Sequence, residues 1–388
     1  MDPAMLRGYT VIDLSSVGPA SRCSRILADY GARVIKVGPT ARKASVQIEP
    51  AYWSYGAGRG MQRVRIDLKA PEGRDAFLRL SASADVVIES FRPGVADRIG
   101  IGYADVKRSN ERIVYCSTSG YGQDGPYAQW AGHDVNYLAL AGFLHCSGRR
   151  ADGSPALPGA TVADSAAGGM HASIAILAAL LRRGATGAGA YLDVSVAEGV
   201  LSLMSLHIDE HLATRNEPGP GSNILTGRYA CYDVYRARDG KWLAVGAIEP
   251  AFFANLCKAL GLEPWIPHQL DDARQDEIRA ALREAFARRD RDAWVAELAP
   301  ASTCVAPVRA ITELADDPHF AARGILAEAR HEEHGSFRQL GAVLAGGDRA
   351  QPAHRVPPRS ATDTDGVLRG VGMTDPEIEQ LRGAGVVE

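Results

Sequence analysis

Cysteine is sparse in this 388-residue chain, and its spacing matches neither a disulfide framework nor a zinc site. Six cysteines are scattered along the sequence without a CxxC pair. Such spacing favours free or buried thiols in a reducing compartment. The N-terminus also lacks the apolar core of a secretory leader. We therefore expect a cytoplasmic protein.

Long apolar runs and a large net charge are missing as well. The longest apolar run, around 174–181, is far shorter than the roughly 20 residues that span a bilayer. A net charge of −3 gives no reason to expect nucleic-acid binding. The composition, 46% hydrophobic and 23% charged, is that of a globular protein, and the length allows two domains. We expect neither a membrane nor a nucleic-acid partner.

Motifs for common cofactors and nucleophiles are also absent. The first predicted strand-to-helix turn has one glycine, Gly18, where the dinucleotide fingerprint GxGxxG needs three. There is no GxSxG, so a serine hydrolase of the usual α/β type is not indicated. Residues 207–211 fit the zinc-protease pattern HxxEH, but so short a match arises by chance and no third ligand is evident. We expect no nicotinamide, flavin or metal.

The first half of the chain alternates strand and helix patterns. Strand patterns occur at 9–14, 32–37, 84–89 and 113–117. Helices are predicted from Gly18, from Pro71 and, as a long small-residue helix, over 168–183. Repeated βαβ units predict a Rossmann-like α/β domain with a parallel sheet.

A Pro/Gly-rich segment at 216–221 is the clearest linker. Beyond it, strand patterns at 229–235 and 242–245 flank Asp239-Gly240, which is typical of a hairpin turn. Helix patterns follow at 252–260 and 272–288. We predict a large domain over 1–215, to which 326–388 returns, and a smaller α+β domain over 224–325.

His133 and Asp164 are candidate proton-transfer residues. An imidazole titrates near neutral pH, so His133 can act as base or acid, although a lone histidine is more often structural. Asp164 lies just before the predicted small-residue helix, where an aspartate commonly serves as an N-cap. That helix end would also stabilise developing negative charge. In one cleft, the two groups can remove a proton and return one.

Glu249 lies in the unusual run Val245-Gly246-Ala247-Ile248-Glu249-Pro250. It follows a predicted strand, where a solvated surface acid is the ordinary interpretation.

Two segments at predicted strand ends are candidates for binding an anionic ligand. They are Ile66-Asp67-Leu68-Lys69 and Ser90-Phe91-Arg92-Pro93-Gly94-Val95-Ala96-Asp97-Arg98. Each has the residues of an ordinary strand-to-helix junction. Open α/β sheets nevertheless bind ligands outside the carboxyl ends of their parallel strands. Lys69, Arg92 and Arg98 are therefore candidates for phosphate contacts.

Taken together, 132–142, Asp164 and 246–250 resemble segments of the α-methylacyl-CoA racemases, within the family III CoA-transferase (CaiB/BaiF) superfamily. The similarity extends from about Leu6 to about Arg323. The chain departs from the racemase pattern at Ala160, where asparagine is common, and at Thr226, where aspartate is usual. These departures leave the acyl group open.

The resemblance implies roles for the candidate residues. His133 and Asp164 would be the catalytic acid–base pair, and Glu249 would support the histidine. The resemblance further implies acyl-CoA binding by Ile66, Asp67, Leu68, Lys69, Ser90, Phe91, Arg92, Arg98, Gly132, Asp134, Val135, Asn136 and Tyr137. CoA would enter as part of the substrate, and no separate cofactor is expected.

The implied activity is racemisation or epimerisation of 2-methyl-branched, or similarly α-substituted, acyl-CoA thioesters. Which of His133 and Asp164 acts on which face of the α-carbon stays open. A CoA-transferase working through an aspartyl-CoA intermediate on Asp164 is the alternative, because both branches use that position. A CoA-binding protein without turnover is a third possibility.

The resemblance also implies an interlocked homodimer in which each chain threads through its partner. His133 and Asp164 would then come from one chain and Glu249 from the other. A monomer whose cleft closes within one chain is the alternative.

Overall fold

The chain folds into two structural units. The computed structural model describes residues 4–41, 58–332, 334–343, 353–358 and 360–388. The first unit draws its described residues from Met1–Phe143, Pro158–Ile208 and His319–Glu388. The second unit comprises Leu144–Leu157 and Asp209–Pro318. The structure thus groups Leu144–Leu157 and 209–215 with the second unit and 319–325 with the first, whereas the sequence predicted domain boundaries at 215 and 325.

The described residues of the first unit contain a six-stranded, all-parallel sheet in the order β3-β2-β1-β4-β5-β6. Its strands are β1 (Thr10–Asp13), β2 (Arg33–Gly38), β3 (Gln62–Arg65), β4 (Val86–Glu89), β5 (Val114–Ser119) and β6 (Ala190–Ser195). The predicted parallel α/β sheet is confirmed. The strand order reverses between β1 and β4, and in open α/β sheets a ligand crevice lies outside the carboxyl ends at that point.

Helices alternate with these strands along the chain. Up to β6 they are α1 (Gly18–Asp29), α2 (Pro71–Ser81), α3 (Val95–Arg98), α4 (Tyr103–Ser109), α5 (Asp134–Leu140), α6 (Phe143–Cys146), a π-helix (Ala163–Met170) and α7 (His171–Thr186). After β6 come α8 (Val196–Leu203) and α9 (Ser205–Thr214). One hydrophobic core lies between one face of the sheet and helices α1 and α7. A second core lies between the opposite face and helices α2, α4 and the C-terminal helices.

The small-residue helix begins earlier than predicted and in another form. It was predicted from Gly168, but the π-helix starts at Ala163 and continues directly into α7. By length and composition the combined stretch Ala163–Thr186 is able to cross a membrane. In this structure its buried face packs against α1 and α8.

The second unit has a core of its own. Its elements are β7 (Tyr232–Arg236), β8 (Trp242–Gly246), α10 (Pro250–Leu260), α11 (Gln275–Phe286), α12 (Arg291–Leu298), β9 (Val305–Pro307), α13 (Ile311–Leu314) and four short 3₁₀ turns. Strands β7 and β8 pair antiparallel as the sequence predicts, and Gly240 turns between them with φ of +80°. Phe253, Leu282 and Phe286 are fully buried between helices and sheet.

The C-terminal segment returns to the first unit. Its elements are α14 (Pro318–Ala322), β10 (Leu326–His331), β11 (Gly335–Leu340), β12 (His354–Val356), α15 (Thr364–Gly370) and α16 (Asp375–Gly383). Val387 bridges Ile66 beyond the end of β3. The Asp67 N–H donates to the Val386 carbonyl at 2.8 Å. The segment around Val387 therefore pairs with the chain just beyond β3, the edge strand of the sheet.

Candidate active site

His133 lies at the N-terminus of α5, where the chain turns from a loop into the helix. Its backbone N–H donates to Asn136 Oδ1 at 3.0 Å, and the Asn136 N–H donates to the His133 carbonyl at 2.8 Å. This local cap fixes the backbone at His133. Because the residue is exposed, its imidazole is accessible to a substrate.

Asp164 is the second residue of the π-helix, and 18% of its side chain is exposed. A π-helix closes i→i+5 hydrogen bonds and is frequent at functional sites. Its position depends on close glycine packing: a Cβ on Gly168 would lie 2.4 Å from Pro19 Cβ in α1. A Cβ on Gly199 in α8 would lie 2.1 Å from the Ala167 carbonyl oxygen. Side chains at these glycines would displace the π-helix that carries Asp164.

Asp134 joins the segments that carry the two candidate groups. The Asp164 backbone N–H donates to Asp134 Oδ1 at 2.9 Å, across 30 residues of sequence. Since His133 directly precedes Asp134, this bond brings the imidazole and the Asp164 carboxyl group into one locality. The two groups are close enough that His133 lowers the pKa of Asp164.

The surroundings of Asp164 act on its pKa in opposite directions. Burial raises the pKa of the carboxyl group, Arg22 opposes that rise, Asp134 adds to it, and His133 opposes it. The net result is a pKa above the ordinary value of an aspartate. Asp164 therefore holds its proton to higher pH than an exposed carboxyl group, which favours a role in both giving and accepting protons.

Two tyrosine side chains, Tyr121 and Tyr137, pack against each other near His133 and Asp164. The Tyr137 hydroxyl donates to the Gly132 carbonyl at 2.6 Å, and the rings of Tyr121 and Tyr137 meet edge to face at 5.2 Å. Burial, then the Asp164 charge, raises the pKa of Tyr137 to about 12. A Cβ on Gly132 would lie 2.7 Å from the Tyr121 hydroxyl, so this position requires glycine.

The residues next to His133 that are predicted to bind acyl-CoA differ in how exposed they are. Tyr137 is buried, and Asp134 is half-buried and bonded to Asp164. Val135 and Asn136 are exposed on α5.

The other two predicted acyl-CoA segments follow the carboxyl ends of β3 and β4. In the first, Ile66 and Asp67 are buried, Leu68 is half-buried, and Lys69 is exposed. In the second, Phe91 is half-buried while Ser90, Arg92 and Arg98 are exposed. Lys69, Arg92 and Arg98 are thus exposed cationic residues in segments that follow the carboxyl ends of two strands, the end at which parallel α/β sheets bind ligands.

Glu249 belongs to the second unit, at the N-cap position of α10, and is exposed. The backbone before it is held firmly. The Gly246 N–H donates to the Cys304 carbonyl at 2.9 Å, and the Gln269 side-chain amide donates to the Ile248 carbonyl at 2.6 Å. Glu249 therefore follows a turn whose backbone is held in place by hydrogen bonds.

Sequence reasoning missed one charged member of the site, Arg22 in α1. Its guanidinium lies 3.6 Å from Asp164 Oδ2 and donates to Thr161 Oγ1 at 2.8 Å. The sequence feature that could have identified Arg22 is a charged residue in the first turns of a helix where the preceding residues are small.

A sequence model of CoA-transferase family III matches residues 6–364. The chain belongs to CoA-transferase family III. This family III member is 33% identical over 384 residues to the alpha-methylacyl-CoA racemase of Homo sapiens, covering 99% of the chain and 97% of the relative. It is 31% identical over 335 residues to the acetyl-CoA:oxalate CoA-transferase of Acetobacter aceti, covering 83% and 85%.

A solved structure agrees with this assignment. A CaiB/BaiF family protein from Brucella suis aligns with a TM-score of 0.77 at 26% identity, covering 95% of this chain and 99% of that one. The predicted family is thereby confirmed, and the chain is an enzyme of the family III CoA-transferase superfamily. Its relatives include a racemase and a transferase, so family membership alone does not select the reaction.

Proposed function

We propose that this family III member is a racemase or epimerase of 2-methyl-branched, or similarly α-substituted, acyl-CoA thioesters. The observation that carries the proposal is the hydrogen bond from Asp164 to Asp134, which sets an imidazole beside a carboxyl group of raised pKa. The 33% identity to a racemase along 99% of the chain supports the same reaction.

The proposed chemistry is a two-base proton exchange. The thioester carbonyl acidifies the α-hydrogen, and one of His133 and Asp164 removes it, leaving an enolate. The other group returns a proton to the opposite face of the α-carbon, so configuration is lost while the thioester stays intact. The reaction needs no cofactor, since CoA is part of the substrate.

Other residues have binding and supporting roles in the proposal. Lys69, Arg92 and Arg98 would contact the CoA phosphates from the carboxyl edge of the sheet. Glu249 would support His133 from the small domain of a second chain in an interlocked homodimer. We place this activity in the cytoplasm.

The decisive test is isotope exchange in D2O. Purified protein incubated with 2-methylacyl-CoA thioesters of several chain lengths should introduce one deuterium at C2, seen by mass spectrometry as a gain of about one mass unit per acyl group. Protein carrying both His133→Ala and Asp164→Ala is the matched control for background exchange. If the parent protein gives no exchange with any chain length, the racemase proposal fails.

CoA transfer is the second candidate, favoured by the 31% identity to an acetyl-CoA:oxalate CoA-transferase. In that route the Asp164 carboxylate attacks the thioester carbonyl and expels CoA thiolate, forming a mixed anhydride. The thiolate then attacks the aspartyl carbonyl, releasing the acyl group as a carboxylate and leaving an aspartyl-CoA thioester. This route gives His133 no defined role.

The same assay distinguishes the two reactions when a free carboxylic acid is added. Transfer would move CoA to the added acid without deuterium at C2, and hydroxylamine would trap the aspartyl-CoA thioester as a hydroxamate at Asp164. Exchange without transfer supports racemisation. Tight CoA binding with neither reaction would indicate a binding protein.

A further inference from the structure

Arg22 contacts the catalytic region from a separate element, helix α1. Its Nη1 donates to the Gly18 carbonyl at 3.2 Å and lies 3.6 Å from Asp164 Oδ2. Its Nη2 donates to Thr161 Oγ1 at 2.8 Å. One guanidinium thus links the start of α1, the turn before the π-helix, and the Asp164 carboxyl group. Only 20% of the Arg22 side chain is exposed.

The packing of α1 against the π-helix leaves little freedom for this arrangement. A Cβ on Gly169 would lie 2.8 Å from Arg22 Cβ and 3.1 Å from the Asp164 carbonyl oxygen. The stem of Arg22 therefore passes directly over the π-helix backbone, so the guanidinium reaches Asp164 without an intervening side chain.

The charges around Asp164 come from two elements. Arg22 faces it from α1, while Asp134 and Tyr137 face it from α5. His133 stands at the beginning of α5. Of these groups, Arg22 is the one that is cationic at every physiological pH, because a guanidinium does not lose its proton in proteins. Its attraction for the carboxylate is therefore constant over that pH range.

We propose that Arg22 is a positioning residue of the proton-transfer site: it holds the Asp164 carboxylate in place and favours its ionised, proton-accepting form. The expected effect of Arg22 on catalysis rests on the proposed racemase function, whereas its interaction with Asp164 does not. Burial alone would leave Asp164 protonated over a wider pH range. Arg22 counteracts that effect and so sets the pH above which Asp164 accepts an α-proton.

Two substitutions at this position separate charge from structure. Arg22→Gln removes the charge and keeps polar atoms, whereas Arg22→Lys keeps the charge on a flexible stem. Arg33→Gln is the matched control, because it removes one positive charge from an exposed residue that bonds to Gln62. Two measurements apply to each purified variant. One is the pH profile of α-proton exchange, and the other is the titration of Asp164 by ¹³C NMR of carboxyl-labelled aspartate. The Asp164 signal is assigned by its loss in Asp164→Asn.

In Arg22→Gln we expect the Asp164 titration and the acid limb of the exchange profile to move together to higher pH. Arg22→Lys should restore most of the parent behaviour, and Arg33→Gln should match the parent. An Asp164 titration that is the same in Arg22→Gln and the parent overturns the proposal, even if activity falls. If the parent protein exchanges no α-proton, the proposed function fails, while the carboxyl titration still decides the role of Arg22.

Discussion

At the scale of single residues, the site depends on how the proton affinity of Asp164 is set. Water stabilises a carboxylate more than a carboxylic acid, so burial favours the protonated form. The rise in the pKa of Asp164 makes its carboxylate a stronger base than that of an exposed aspartate. An enzyme that returns a proton to either face of a carbon benefits from this change, since each catalytic group must act as acid and as base.

Truncation of either group tests this pairing. We expect His133→Ala and Asp164→Ala each to lower α-proton exchange by about 10²–10⁴-fold, the usual contribution of a general acid or base. His171→Ala, an exposed histidine at the start of α7, should leave exchange unchanged. In a transferase, by contrast, Asp164→Ala would abolish turnover and His133→Ala would act mildly. Nearly full exchange by His133→Ala would show that the base is assigned wrongly.

The sequence pointed to His133 and Asp164 because both lie in short segments with a recognisable pattern. Arg22 was not predicted, because its role arises from the packing of two helices. It meets Thr161 across 139 residues of sequence, and no local pattern around Arg22 encodes that contact. The bond between Asp134 and Asp164 was missed for the same reason: Asp134 was assigned to the substrate, not to the π-helix.

At the scale of elements, the π-helix depends on the absence of side chains at its contacts. Gly168→Ala would set a Cβ 2.4 Å from Pro19 and 3.1 Å from Val196 Cγ2. The proline ring cannot move aside as a flexible side chain would. We expect this variant to lose about 1–3 kcal/mol of unfolding free energy through overpacking. It should also lose exchange activity, because the π-helix carries Asp164.

Gly184→Ala is the matched control on α7, since a Cβ there meets nothing within 4 Å. An alanine in an exposed helix interior should be neutral or stabilise by up to about 1 kcal/mol. The stability of both variants is measured by urea unfolding, and their activity by α-proton exchange of the acyl-CoA substrate in D2O. Equal stability of the Gly168 and Gly184 variants would contradict the close packing of Gly168 against Pro19.

The buried central strands of the sheet were easier to predict from the sequence than its edge strands. Strands β1, β2, β4 and β5 are largely apolar and buried, and the sequence located each of them. Strands β3 and β6 lie at the two edges of the sheet and carry polar or exposed residues, so their patterns are weak. The sheet of β10, β11 and β12 was missed as well, because β11 is mostly exposed.

At the scale of the whole molecule, helix α7 exposes large apolar side chains on one face. Ile174 is 65% exposed and Leu181 is 78% exposed, seven residues apart and therefore on the same side of the helix. Met170, at the end of the π-helix, is 54% exposed four residues earlier. Contiguous exposed apolar surface commonly marks an interface, which is consistent with the proposed homodimer.

Sedimentation at low micromolar concentration tests that assembly. We expect a species of twice the 41.3 kDa chain mass. Interlocked chains cannot separate without partial unfolding, so dissociation in urea should coincide with loss of helical circular dichroism. A folded monomer of about the chain mass would refute the interlocked dimer and the placing of Glu249 on a second chain.

The bridge between Val387 and Ile66 has a consequence for biosynthesis. A ribosome adds about 5–20 residues per second, and domains generally fold as they emerge, the N-terminal one first. Val387 lies far after Ile66 in the chain, so the edge at β3 gains this contact only once the later segment has been made. The second unit ends at Pro318, ahead of Val387, and is therefore synthesised before that contact can form. The unit that the ribosome begins first is thus the unit that matures last.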